Sequence, residues 1–446
     1  MRVHLISIGG AVMHNMALAL QANGHVVSGS DDDVFDPSKS RLEEAGLLPE
    51  KMGWDANRIT PNLDVVILGM HARPDNPELL RAQELGLSIQ SFPEFVANHW
   101  KNVTRLVVAG SHGKTTTTAM IMHVLMHYNR KFDYLVGSKL DGFERMVQLS
   151  DAPLAIIEGD EYLSSPIDRR SKFHWYNPYI AIITGIAWDH VNVFPTYPEY
   201  VKTFSDFISD MTQEAHLIPF SGDQDLNDMI HRHAGHLTVH SYNGLEVSIN
   251  EGVSTIHHGG KSYSMEIFGD HNFQNMEAAI LALEQVGISA DESLVALTSF
   301  SGTARRLEKV YDENDIKIFR DFAHSPSKVK ATVDAVSKTF VDKKVIAVFE
   351  LHTFSSLSEH FLPHYKNSMN AADIAYVYYN AHVFEWRKMD EISPDTIQAS
   401  FGDVVVENNN DNLWEQLKQQ VGPGSVLLLM SSGNFGDKKW EELVNE

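Results

Sequence analysis

The chain runs to 446 residues with 43% apolar content, which is ample for about two to four domains with real cores. Its 36 Lys and Arg stand against 59 Asp and Glu, a formal charge of −23 that argues against nonspecific binding to nucleic acid or to an anionic membrane. Cysteine is absent, which excludes disulfides and thiolate-bound metals; no apolar run approaches the span of a bilayer, and a cytoplasmic protein without a signal peptide is expected.

Val3 to Ile8 reads as a strand, Gly9-Gly10 as a turn and Val12 to Ala22 as a helix, and Val26 to Ser30 is a second strand ending at Asp31. Such a unit can cradle a diphosphate over its glycine turn and offer Asp31 to a ribose or a base edge. Only the middle of the G-x-G-x-x-G dinucleotide pattern is present, so the motif does not point to NAD. Val65 to Gly69 is another strand, and His71, Arg73 and Asn76-Pro77-Glu78 come after it as a polar loop at its carboxyl end, where open α/β sheets bind ligands. His99 to Thr104 reads as a linker.

Leu106 to Thr118 organises the middle of the chain. An apolar strand enters the turn Gly110-Ser111-His112-Gly113, and a helix begins at Lys114 with a run of hydroxyls, Thr115 to Thr118. Glycines let successive N–H groups point inward, the helix start adds positive potential, Lys114 can reach outer phosphates and Thr115 can ligate a phosphate-bound Mg2+. Val108 stands where the common NTPase loop has its first glycine, so this is a shortened variant. Lys114 is expected to be an exposed loop side chain, dispensable for folding. Leu154 to Ile157 is apolar and leads into Glu158-Gly159-Asp160-Glu161, a second strand end with oxygen ligands for a hard cation; Tyr179 to Thr184 leads to Asp189-His190. Short alternating runs from Leu237 to Met265, broken by Asn243-Gly244, Glu251-Gly252 and Gly259-Gly260, predict an antiparallel meander in which His257-His258 is exposed polarity. Asn272 to Gln285 is an amphipathic helix with Met276 and Leu281 in the core. Strands at Ile316 to Phe319, Lys344 to Phe349, Ile374 to Tyr378 and Val426 to Met430, with a helix at Ser327 to Phe340, make a further α/β domain.

These residues resemble the Mur ligases, ATP-dependent amide-forming enzymes of peptidoglycan synthesis. Gly110 to Thr118, Glu158 to Tyr162 and Asp189-His190 are similar to the three central signatures of that family; Gly269-Asp270-His271-Asn272-x-x-Asn275, Gly302-x-x-Arg305-Arg306 and Asp321 to Pro326 continue the likeness in order. The resemblance implies three domains: a Rossmann-like UDP-sugar domain (1–102), a P-loop-type central parallel sheet with a small antiparallel meander that binds ATP (103–306), and a Rossmann-like domain for the amine substrate (307–446). It implies that Lys114, Glu158 and His190 are catalytic and that Thr115, Glu158 and His190 hold Mg2+. ATP would contact Gly110, Ser111, His112, Gly113, Lys114, Thr115, Thr116, Asn272, Asn275, Arg305, Arg306 and Asp321, and the UDP-sugar Gly9, Gly10, Ser30, Asp31 and His71.

The implied reaction joins the lactyl carboxylate of UDP-N-acetylmuramate to an amine through an acyl phosphate. Glu161 to Pro178, with the charged stretch Asp168 to Lys172, and the ending Met430 to Gly436 resemble the members that recycle the tripeptide L-alanyl-γ-D-glutamyl-meso-diaminopimelate; L-alanine is the alternative amine. Gly185-Ile186-Ala187 replaces a more polar Asn-Ile-Glu, Ala11-Val12 stands where a third glycine is common, and a gapless count puts Ser205 where relatives carry a carbamylated lysine, with Lys202 one turn earlier. A kinase or ATPase would use the same Lys114 and Thr115 without an amine, and a silent nucleotide-binding regulator would keep the loop and lose its metal ligands.

Overall fold

Uninterrupted apolar runs, rather than alternation, mark the central strands: Leu106 to Ala109 and Ile180 to Ile183 are fully buried. A strand covered by helices on both faces has no polar side, which is the pattern of a parallel sheet. The computed structural model describes the chain except for residues 141, 191, 192, 251, 252, 305, 445 and 446. It divides into a first unit of Met1–Ile186, Val201–Tyr242 and Ala278–Ile288, and a second of Ala187–Tyr200, Asn243–Glu277 and Ser289–Glu446.

The first unit holds two sheets. One is parallel throughout, in the order Val26–Ser30, Arg2–Ile6, Val65–Leu68, Ile89–Ser91. The other runs Thr238–Val239, His216–Pro219, Ile180–Ile183, Thr104–Ala109, Leu154–Glu158, Asp133–Leu135, Val147–Gln148, with only the last pairing antiparallel. Thr104–Ala109 therefore lies between Ile180–Ile183 and Leu154–Glu158, which brings the phosphate loop, Glu158 and Thr184 to one sheet edge.

In the second unit, Val247–Asn250, Val253–His258 and Lys261–Met265 form the expected antiparallel meander. Its start is corrected: Thr238–Val239 is the parallel edge strand of the seven-stranded sheet. A six-stranded sheet comes next, in the order Glu308–Glu313, Ile316–Asp321, Ser425–Met430, Lys344–Leu351, Ile374–Tyr379, Val405–Glu407, parallel except for its first pair. Val333 and Val336 of the helix Pro326–Thr339 pack with Phe349 and Leu428 in its core. The mixed α/β class read from the sequence is the observed one.

Two local readings change. Residues 99–104 do not form a loose linker, because Trp100 is fully buried and its indole N–H donates to Asp133 Oδ2 at 3.0 Å. Asn76-Pro77-Glu78 is a helix start, not a ligand loop: the Asn76 side chain accepts from the N–H groups of Glu78 and Leu79 and so caps Pro77–Glu84. Glu78 is completely buried, accepts from the Ser30 hydroxyl and from Asp55 N at 2.9 Å, and lies 3.2 Å from His4 Nε2 and 3.4 Å from Arg58.

Burial opposes ionisation of Glu78, but the hydrogen bonds from His4, Ser30 and Asp55 prevail and hold its carboxyl below the ordinary range. A depressed carboxylate contributes stability that is complete above its unfolded pKa and is lost as pH falls through its folded pKa. Glu78→Ala, which strands several donors, is expected to cost about 3 kcal/mol or more at neutral pH. Glu78→Gln should flatten the acid limb of stability against pH, measured by denaturant unfolding across an acidic series.

Candidate active site

The loop after Thr104–Ala109 is shaped by backbone that only glycine adopts easily. Gly110 has φ +117° and lies so close to the next strand end that a Cβ would come 2.5 Å from Thr184 Oγ1. Gly113, with φ +71°, opens the helix Lys114–His127, whose first turn has no side-chain cap and so presents its N–H groups to an anion. Ser111 N donates to Gly185 O at 2.9 Å, and the Thr184 hydroxyl donates to the carbonyls of Ala109 and His112. Ile186 N in turn donates to Asp223 Oδ2 at 2.7 Å. Thr184, Gly185 and Asp223 thus fix the loop, a role that no local motif marks.

Lys114 is not the exposed loop side chain expected: it is 15% exposed and ion-paired at 2.8 Å with Glu161, which is 0% exposed. Its Nζ also donates to Gly110 O at 2.5 Å, curling the side chain over the loop. Burial disfavours the ammonium, but Glu161, Asp160 and Glu158 outweigh that and raise its pKa above the ordinary lysine value. Asp160 is engaged by Lys172 at 2.5 Å, so the charged stretch read from the sequence reaches back to the acidic strand end.

The Thr115 hydroxyl donates to Glu158 Oε1 at 2.9 Å, and Glu158 Oε2 accepts from Gly137 N at 3.0 Å. Adjacent ligands of an octahedral ion with oxygens at about 2.1 Å sit about 3 Å apart, so this pair of oxygens fits one edge of a Mg2+ shell. Thr116, also in the first helical turn, is buried.

In the smaller sheet, Asp31 Oδ2 accepts from Gly9 N at 2.8 Å, closing the glycine turn. Gly10 precedes the helix Ala11–Ala22, which lacks a side-chain cap. Burial raises the Asp31 carboxyl despite that bond, and the nearby His71, itself exposed, pulls it the other way. The Ser30 hydroxyl faces the buried Glu78 network. Lys202 is exposed and pairs with Asp206 one turn on, and the Ser205 hydroxyl donates to Lys202 O.

The second unit carries the remaining candidates. Asp189 Oδ2 lies 3.3 Å from Lys328 Nζ and 4.0 Å from His324 Nε2, and its other oxygen accepts from His190 N. Burial works against the Asp189 charge, but Lys328, His190 and His324 hold it far below the ordinary carboxylate range, while burial and Lys328 push the His324 imidazole down to about 3. Lys328 was missed from sequence, since it lies beyond the motif that ends at Pro326. The His190 backbone is left-handed, φ +53°.

Asp321 accepts from Leu307 N and Ala323 N, each at 2.6 Å, so its carboxylate ties down the turn on either side of its strand; burial raises its pKa although Arg306 opposes this. The Arg306 guanidinium lies 4.9 Å over the Phe322 ring. Asn272 and Asn275 are buried, and the Asn272 amide donates to Phe268 O at 2.8 Å. Arg305 lies outside the described residues.

A parallel sheet that delivers a glycine loop, a charged lysine and a hydroxyl–carboxylate pair to one edge defines a nucleotide-using enzyme of the α/β class. Family profiles match in order: Mur ligase family, catalytic domain, at residues 2–104; Mur ligase middle domain at 108–283; Mur ligase, glutamate ligase domain, at 305–433. UDP-N-acetylmuramate–L-alanine ligase of Streptococcus pneumoniae is 31% identical over 460 residues, covering 97% of this chain and 95% of that one. UDP-N-acetylmuramate–L-alanyl-gamma-D-glutamyl-meso-2,6-diaminoheptandioate ligase of Haemophilus influenzae is 28% identical, covering 97% and 96%. Among solved structures, UDP-N-acetylmuramate-alanine ligase of Thermotoga maritima matches with a TM-score of 0.70 at 21% identity over 98% of this chain and 97% of that one. A murein peptide ligase of Psychrobacter arcticus matches with 0.65 at 24% over 100% and 98%. The chain belongs to the Mur ligase family, and it is an ATP-dependent ligase.

Because Glu161 is fully buried, Lys114→Met removes the cation 2.8 Å from its carboxylate and is expected to destabilise the protein by about 3 kcal/mol. Adding Glu161→Gln should recover most of that loss in thermal or denaturant unfolding. Equal stability of Lys114→Met and wild type would show that the pair contributes nothing to the fold.

Proposed function

We propose that the protein joins the lactyl carboxylate of UDP-N-acetylmuramate to the amino group of L-alanyl-γ-D-glutamyl-meso-diaminopimelate, a step of peptidoglycan recycling. The observation that carries the chemistry is the buried Lys114, kept cationic by carboxylates beside an anion-ready loop. In the first step a carboxylate oxygen attacks the γ-phosphorus of ATP, the bond to ADP breaks, and an acyl phosphate results. Attack by the uncharged amine on the acyl carbon then expels inorganic phosphate, with loss of the amine proton, and leaves the amide.

Two anions must approach within bonding distance, a repulsion of several kcal/mol at moderate dielectric. Lys114 offsets it at the transferring phosphoryl group, and the N–H groups at the uncapped start of the helix Lys114–His127 orient the phosphates. Thr115 and Glu158 would hold a Mg2+ ion, which supplies positive charge to the phosphate oxygens. His190 is assigned as a further metal-holding side chain, and Asn272, Asn275, Arg305, Arg306 and Asp321 as nucleotide contacts. Gly9, Gly10, Ser30, Asp31 and His71 are assigned to the UDP-sugar, with Ser30 acting through the order it gives the strand end. The domain limits 1–102, 103–306 and 307–446 belong to the same reading.

The tripeptide is favoured because Glu161 to Pro178 and the ending Met430 to Gly436 resemble the members that use it, and relatives named for it in Haemophilus influenzae and Escherichia coli align over nearly the full length of this chain. L-alanine is the second reading, since the streptococcal L-alanine ligases are slightly more identical, at 31%. Phosphate release from ATP is expected to need both UDP-N-acetylmuramate and tripeptide, with L-alanine supporting far less turnover. Comparable turnover with L-alanine would overturn the tripeptide assignment, and phosphate release without any amine would favour a simple ATPase. Glu158→Gln is expected to raise the Mg2+ concentration for half-maximal turnover about tenfold or more, read from a metal titration at saturating substrates.

A further inference from the structure

A cavity of about 810 Å³ in the first unit lies at the far end of the phosphate-loop helix, where Met126 lines it. Lys114–His127 is 14 residues long, so this cavity is separated from the loop by roughly 20 Å of helix. Its volume is that of a small-molecule site.

The wall is chemically specific. Phe132, Tyr134 and Phe143 form an edge-to-face group, with Tyr134 and Phe143 centroids 5.1 Å apart and Phe132 and Phe143 6.3 Å apart. Phe132 and Tyr134 are rooted in the core, whereas Phe143 is half-buried and offers ring surface to the cavity. Arg130, Lys131 and Arg145 line the same space, and none of their side chains is ion-paired with a described residue. That is notable in a chain with 59 carboxylates and 36 Lys and Arg, where cations readily find partners. Glu144 and Asp151 also line it, so the described wall carries three cations against two carboxylates while the whole chain is at −23. Arg145 is near enough to Tyr134 to pull its hydroxyl pKa down against the upward push of burial, which places this cation beside the aromatic group.

The cavity walls are also held in place. Asn23 donates to Leu149 O at 2.7 Å and Arg41 to Glu144 O at 2.9 Å, pinning the segment that carries Phe143 and Arg145 to the helices of the smaller sheet. The strand Asp133–Leu135 contributes Tyr134 and leads on to Gly137, whose N–H holds Glu158. We propose that this cavity is a second ligand site, for an organic phosphate bearing an aromatic or heteroaromatic ring. The ring would pack on Phe143 and the phosphate would meet Arg145, Arg130 and Lys131.

Phenyl phosphate is the probe, titrated into the full-length protein and followed by ligand-observed NMR. Saturable binding is expected, weakened about tenfold by Arg145→Gln and by Phe143→Leu, and largely retained by Arg145→Lys. Inorganic phosphate, which lacks the ring, should bind at least tenfold more weakly than phenyl phosphate. ATP turnover of the three variants should match wild type, since neither position belongs to the phosphate loop. The proposal is overturned if phenyl phosphate does not saturate, if inorganic phosphate binds equally well, or if both Arg145→Gln and Phe143→Leu bind it as wild type does.

Discussion

Burial disfavours the ammonium of Lys114, and in the proposed reaction that charge has to be in place before any nucleotide arrives. Here the opposition is met by Glu161, with Asp160 and Glu158 behind it. The arrangement constrains what the lysine can do. Glu161 has no exposure of its own, so a Lys114 that swung fully onto a phosphate would break a buried ion pair. The lysine is held between its carboxylate and the Gly110 carbonyl, which keeps it in the space directly over the loop. Pre-orientation of this kind lowers the reorganisation needed when charge moves onto the transferred phosphoryl group.

The same logic makes sense of the strongly acidic composition. A net charge of −23 repels nucleoside triphosphates at long range, but that repulsion is largely screened beyond about 10 Å at ordinary salt. What counts is the local field, and at the sheet edge it is set by the uncapped start of the helix Lys114–His127 and by Lys114. Glu158 is the carboxylate there with the Thr115 hydroxyl beside it, at 2.9 Å. The negative residues thus divide their work: Glu161 keeps the lysine charged, Asp160 engages Lys172, and Glu158 remains with Thr115 as the oxygen pair suited to a hard metal.

Much of this was legible in the chain because it is local. Apolar runs announced parallel strands, and Gly110 and Gly113 announced a bent turn leading into a helix at Lys114. What escaped reading depends on partners far apart in sequence. Glu78 meets His4 across 74 positions, Trp100 meets Asp133 across 33, and Lys328 meets Asp189 across 139. No periodicity encodes such contacts, and in isolation each residue has an ordinary local explanation. Asn76-Pro77-Glu78 shows the trap well. Polar residues just after a strand suggest a ligand loop, yet here they cap a helix and fill a buried network, because the backbone and the interior claim their hydrogen bonds first.

Gly185 was the departure from the family pattern that most threatened the site, since it removes a polar side chain next to the phosphate loop. In the folded chain its contribution is its carbonyl, which receives Ser111 N, and its left-handed φ of +116°, which turns the chain so that Ile186 N can bond Asp223. Thr184 adds a hydroxyl that holds two loop carbonyls. The turn is accordingly positioned by main-chain groups and by the side chains of Thr184 and Asp223, neither of which belongs to the changed residues. A position whose duty is carried by backbone tolerates loss of its side chain, provided the new residue can adopt the same φ, and glycine is the residue that does so most readily.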